Sequence, residues 1–148
     1  MSKAIIVYGS ETGNTESIAK KAGELLVSAG VETEVVSAAG VKAEGLCAGR
    51  DLALFGCSAW GTDEVELQGD FNELFEKFDS IGASGVKCAC FASGDSSFEH
   101  FCGAVDVIGR KLEELGANIV AEGLRCEGDA SDNESEIASW VDEIIKSL

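Results

Sequence analysis

The chain has 148 residues, 45% of them hydrophobic, and a formal net charge of −16 at pH 7, which suits one domain, 1–148, with a core of its own. That charge argues against nucleic acid, whose phosphates would repel it, and fits solubility and encounter with basic protein surfaces. No apolar run is long enough to span a bilayer, and Met-Ser-Lys leads straight into a strand with no signal peptide, so a cytoplasmic location is expected.

Ala4–Tyr8 is a short continuous apolar strand, of the kind buried on both faces. Ile18, Ala22, Leu25, Leu26 and Ala29 then mark one stripe of a helix that Gly30 ends. Val31–Ser37 reads as a second strand, and the Gly- and Ala-rich stretch 38–50 as a surface loop with a weak helical turn. Leu52–Cys57 is a third, buried strand running into the polar loop Ser58-Ala59-Trp60-Gly61-Thr62-Asp63. Leu67, Phe71, Leu74, Phe75 and Phe78 follow at helical spacing, as core. Val86–Phe91 is a fourth strand, leading into a second polar loop from Ser93 to Gly103. Val105, Ile108, Leu112 and Leu115 mark another helix, Asn118–Cys126 a fifth strand. Ser131 and Glu134 form a capping box for a last helix through Ile137, Trp140, Val141, Ile144 and Leu148.

Strands alternate with helices throughout, and parallel neighbours need right-handed crossovers. The expected architecture is α/β: a five-stranded parallel sheet with helices on both faces. In such sheets ligands bind beyond the carboxyl ends of the strands. The loops after strands one, three and four all lie there, and those are the three of unusual composition.

The first of them, Ser10-Glu11-Thr12-Gly13-Asn14-Thr15, packs three hydroxyls and an amide around a glycine at a helix start. Unpaired N–H groups and the positive end of the helix dipole make such a turn a seat for an anion such as phosphate. Ser, Thr and Asn also cap helices with no ligand present. The loop has no Gly-Lys-Ser/Thr and no G-x-G-x-x-G. It holds no Lys or Arg, so any phosphate here is gripped by neutral donors, which suits a resident cofactor. The six cysteines, Cys47, Cys57, Cys88, Cys90, Cys102 and Cys126, form no C-x-x-C pair. They read as small buried hydrophobes, with Cys88 and Cys90 on one strand face. With a lone His100, no metal site is expected.

With the three loops in hand, the sequence resembles the flavodoxins, most closely the short-chain type of sulfate-reducing bacteria. The matching motifs are Ile-Val-Tyr-Gly-Ser-x-Thr-Gly-Asn-Thr at 6–15, Gly-Cys-Ser-x-Trp-Gly at 56–61, Gly-Asp-Ser at 94–96 and Phe-Cys-Gly-Ala-Val-Asp at 101–106. The resemblance implies a three-layer flavodoxin-like fold with strand order 2-1-3-4-5 and one noncovalent FMN. Ser10, Thr12, Asn14 and Thr15 match the family's phosphate-binding side chains, helped by loop amides and Ser58. Trp60 and Phe98 match the aromatic positions flanking the isoalloxazine ring. Gly61 matches the glycine whose carbonyl turns to the flavin N5–H after one-electron reduction. Backbone groups of Asp95 and Cys102 match those bonding the pyrimidine edge of the ring. Glu11, Gly13, Ala59, Ser93, Gly94 and Phe101 complete the candidate cofactor-binding set. Three positions depart from the common pattern: Phe98 stands where relatives usually carry Tyr, Thr62 where an acid is common, and Ser93 where Cys is frequent. Glu11 adds a charge that many relatives lack.

The implied function is a low-potential one-electron carrier shuttling FMN between semiquinone and hydroquinone. The expected partners are redox proteins with basic patches, met by Asp63, Glu64, Glu66, Asp95 and Glu99; a monomer is expected. An FMN-dependent NAD(P)H or quinone reductase, with the same kind of fold, is the alternative. A phospho-accepting receiver domain shares the sheet order, but its acids are missing, since the positions read Gly9-Ser10 and Cys57-Ser58.

Overall fold

A computed structural model describes residues 2–9, 13–60, 66–67, 69–94 and 103–148. Strand β1 (Lys3–Gly9) is followed by α1 (Asn14–Ser28), β2 (Glu32–Ser37) and β3 (Leu52–Cys57). A short ribbon of β4 (Ala59–Trp60) and β5 (Glu66–Leu67) precedes α2 (Gly69–Phe75). Then come β6 (Lys87–Gly94), α3 (Ala104–Glu114), β7 (Asn118–Ile119), β8 (Leu124–Glu127) and α4 (Glu134–Ser147). The main sheet runs β2-β1-β3-β6, with β7 and β8 both paired to β6, and every pairing in it is parallel. Counting β7 and β8 as one interrupted strand gives the expected order of five.

Successive side chains of a strand point to opposite faces, and the apolar runs of β1, β3 and β6 accordingly feed two cores. Ile5, Val7, Ala53, Phe55, Cys57, Cys88, Cys90 and Ala92 pack with Phe71 and Leu74 of α2, Phe78, and Ile108 and Leu112 of α3. Ala4, Ile6, Leu52, Leu54, Ala89 and Phe91 pack with Ile18, Ala22 and Leu26 of α1 and Ile137, Trp140 and Ile144 of α4. Helices thus cover both faces, which is why these central strands are continuously apolar rather than alternating. Gly56 leaves room for its neighbour across the sheet: a Cβ there would stand 2.4 Å from the ring of Phe91, its partner on β6.

Several local expectations are corrected. The fifth strand is not continuous over Asn118–Cys126. It breaks between Ile119 and Leu124, where the Glu122 carbonyl accepts the Trp140 indole N–H at 2.9 Å instead of serving the sheet. The stripe from Leu67 to Phe78 is not one helix: Leu67 lies in β5, α2 spans Gly69–Phe75, and Phe78 opens a separate 3-10 turn. The fourth strand runs past Phe91 to Gly94, so Ser93 belongs to the sheet and is 3% exposed. The capping box is built by Asp129 and Asp132 around the turn Ala130–Asp132, not by Ser131 and Glu134. Among the described residues, no helix is long and apolar enough to cross a membrane.

Candidate cofactor site

The strands β1, β3 and β6 end side by side, with Gly9 in register with Cys57 and Gly56 with Phe91. The Ser58 N–H donates to the Gly9 carbonyl at 3.3 Å and carries that alignment into the loops. Gly13 is the N-cap of α1, with φ 91. That left-handed backbone is strained for any residue with a Cβ. Behind it the first-turn N–H groups find no carbonyl within their own helix and carry the positive end of its dipole. The Ser17 hydroxyl holds the turn in place: it donates to the Asn14 carbonyl at 2.7 Å and accepts from the Ala130 N–H at 2.9 Å.

Three hydroxyls gather at this edge. Thr15 is 1% exposed, and its Oγ1 lies 2.6 Å from Oγ of Ser93, which arrives from β6. Ser58 Oγ is buried and has no hydrogen-bond partner among the described residues. A buried hydroxyl left unpaired costs about 1–3 kcal/mol, so this atom needs a partner from beyond those residues. A phosphate oxygen is one that fits, and neutral hydroxyls with helix N–H groups are the donor set that such an oxyanion takes.

The charge beside the turn is arranged by residues that motif reading passed over. The Tyr8 hydroxyl, at the end of β1, donates to Glu16 at 3.2 Å, and Lys20 pairs with Glu16 at 3.0 Å one turn further on. The Lys20 hydrogen bond and charge hold the Glu16 carboxyl below its ordinary range, with Tyr8 adding to the effect. Burial, then the Glu16 charge, raises the Tyr8 phenol. A carboxylate in the first turn of α1 is therefore matched by an ammonium, and the seat is not dominated by negative charge there. The i,i+4 spacing of Glu16 and Lys20 was the signal for this pair.

Of the predicted site residues, Gly13, Asn14, Thr15, Ser58 and Ser93 are brought to one sheet edge, and Ala59 and Trp60 place their backbone there in β4. Gly94 ends β6 at the same edge. Ser10, Glu11, Thr12, Gly61, Asp95, Phe98, Phe101 and Cys102 lie outside the described residues, as do Thr62, Asp63, Glu64, Glu99 and His100. Among the described residues, no cluster of His, Cys, Asp and Glu is arranged to hold a metal. The grooves between α3 and β7 and between α1 and β2 contain none of the site residues.

Fold and site together define a doubly wound α/β protein whose first helix opens, among hydroxyl side chains, at the carboxyl edge of the sheet. The comparisons with known proteins narrow that class. Residues 6–140 match the family described as Flavodoxin. A flavodoxin from Nitratidesulfovibrio vulgaris (strain DSM 19637 / Miyazaki F) is 47% identical over 148 residues, covering 100% of both chains. A flavodoxin from Maridesulfovibrio salexigens is 42% identical over 140 residues, covering 95% of this chain and 94% of that one. The crystal structure of oxidised flavodoxin 1 from Bacillus cereus superposes with a TM-score of 0.90 at 30% identity, covering 99% of each chain.

The chain belongs to the flavodoxin family, and within it to the short-chain type. Flavodoxins are FMN-binding one-electron carriers rather than enzymes acting on a substrate, and membership gives this chain that general role and implies its cofactor.

Proposed function

We propose that this chain holds one FMN noncovalently at the carboxyl edge of β1, β3 and β6 and works as a low-potential one-electron carrier on the lower of the cofactor's two redox steps. The observation that carries the proposal is the buried Ser58 hydroxyl, which has no partner among the described residues, at the same sheet edge as the paired Thr15 and Ser93 hydroxyls. In this reading Thr15, Ser58 and the first-turn amides bind the phosphate, with Ser10, Thr12 and Asn14. Trp60 and Phe98 are the aromatic residues that would flank the ring. The FMN supplies the electron chemistry; the chain sets its cost.

The low potential follows from charge. A chain of net charge −16 resists accepting another electron near a bound phosphate. One like charge about 10 Å away, at an effective dielectric near 20, costs about 1.7 kcal/mol. For a one-electron step that is roughly 70 mV, before salt screening. Several such charges press the lower step strongly negative.

The same charge supports weak, salt-sensitive contact with redox proteins bearing basic patches, by a monomer in the cytoplasm. The deciding experiment is a visible spectrum and redox titration of the purified protein with FMN added. A flavin spectrum, two separated one-electron steps and no steady oxidation of NAD(P)H support the carrier. A protein that stays colourless with FMN, or one that turns over NAD(P)H, overturns it.

A further inference from the structure

Thr15 and Ser93 are 78 positions apart in sequence, yet their hydroxyl oxygens lie 2.6 Å from each other, with the residues 1% and 3% exposed. Each hydroxyl carries one proton and accepts through two lone pairs. Within the pair, either oxygen can be the donor. The Ser93 hydroxyl makes no other hydrogen bond among the described residues. An anion seated at the head of α1 removes the ambiguity. Thr15 has only one proton, and if that proton goes to the anion, the bond to Ser93 must be donated by Ser93.

Resting on the FMN reading above, we propose that Ser93 is a positioning residue for the cofactor's phosphate: its O–H donates to Thr15, and Thr15 donates onward to the phosphate. In this relay the Ser93 hydroxyl acts through Thr15. It fixes the direction of Thr15's proton and polarises that hydroxyl, and chained hydrogen bonds of this kind strengthen one another. The serine matters chemically, since a thiol at the same position is a much weaker donor. A chain with Ser here grips phosphate more firmly through Thr15 than the same chain with Cys.

The test uses two flavins and a double-mutant cycle. FMN and riboflavin differ in the phosphate, so a relay that ends on phosphate changes the binding of FMN alone. Flavin fluorescence quenching on the full-length apoprotein reads both affinities. Ser93→Ala is expected to weaken FMN about three- to tenfold, and Ser93→Cys by less, while riboflavin affinity stays the same. In a Thr15→Val background, Ser93→Ala is expected to change FMN affinity by less than about twofold, because the relay is already cut. Equal weakening of FMN and riboflavin overturns the proposal and makes Ser93 a packing residue. So does an undiminished Ser93→Ala effect without the Thr15 hydroxyl, or FMN affinity that Ser93→Ala leaves unchanged. If wild-type protein binds no FMN at all, the FMN reading itself fails, and that outcome is separate from the others.

Discussion

Ser58 is a residue whose value changes sign with occupancy. Its hydroxyl is buried with no described partner, a condition that costs about 1–3 kcal/mol. Replacing Ser58 with Ala removes that hydroxyl. The apoprotein is expected to become more stable in urea, by up to about 1 kcal/mol, while FMN binding weakens roughly tenfold as a charge-assisted bond is lost. A variant that is destabilised without FMN contradicts this account. The buried thiols make a second prediction. Burial pushes Cys47 up to about 11 and Cys88 up to about 12 from an ordinary 9.0. Cys90 is raised by burial, with Cys88, Cys57 and Glu113 adding to it. The folded chain keeps protons that the unfolded chain releases. These thiols therefore contribute their full stability below about pH 9, and that contribution is lost as pH climbs through the folded values. Urea midpoints measured across this range should fall above pH 9. In a Cys88→Ala, Cys90→Ala variant the decline should be shallower. At pH 8 a disulfide reagent should leave the five described thiols untouched until denaturant is added.

Between β8 and α4 an unremarked asparagine does what the expected cap does not. Asn133 is 9% exposed, and its side-chain amide donates to the carbonyls of Glu127 at 2.9 Å and Asp129 at 2.8 Å. It ties the end of β8 to the turn that launches α4. Among the described residues, the Ser131 hydroxyl bonds the exposed Asp129 carboxylate. Asn133→Ala should cost about 1–3 kcal/mol in a urea melt, and Ser131→Ala within about 0.5. The contrast marks where sequence reading stops. The apolar runs of β1 and β3 and the stripes of α1 and α4 declared themselves, because burial on one or two faces writes a local period. The first-turn hydroxyls were legible for the same reason, as helix-start residues beside a strand. Asn133 was not, since its partners are carbonyls whose direction no composition reveals. Nor was the break in the fifth strand, which depends on Trp140 reaching Glu122, 18 residues back. Ser93 read as the start of a loop, and only its contact with Thr15 shows a strand residue facing the site.

At the scale of the molecule, the proposed encounter with a basic partner makes a prediction about salt. With a net charge of −16, electron transfer to a basic redox partner should slow steeply as salt rises from about 0.02 M to about 0.5 M, as the screening length shrinks to a few ångströms. Stopped-flow rates that ignore salt would remove electrostatic steering from the account. The same salt should raise the thermal midpoint of the isolated protein slightly, by relieving self-repulsion.

The interrupted fifth strand bears on how copies of this chain behave toward each other. Open sheets carry two rims of unpaired backbone, and long flat rims invite fibrous stacking. Here one rim is cut into runs of two and four residues, Asn118–Ile119 and Leu124–Glu127. The other, Glu32–Ser37, carries charge on its exposed positions, Glu32 and the Glu34–Arg50 pair, and charged side chains along an edge strand disfavour pairing with a second copy. Concentrated stocks can therefore stay clear of strand-mediated aggregates even when the cofactor is stripped.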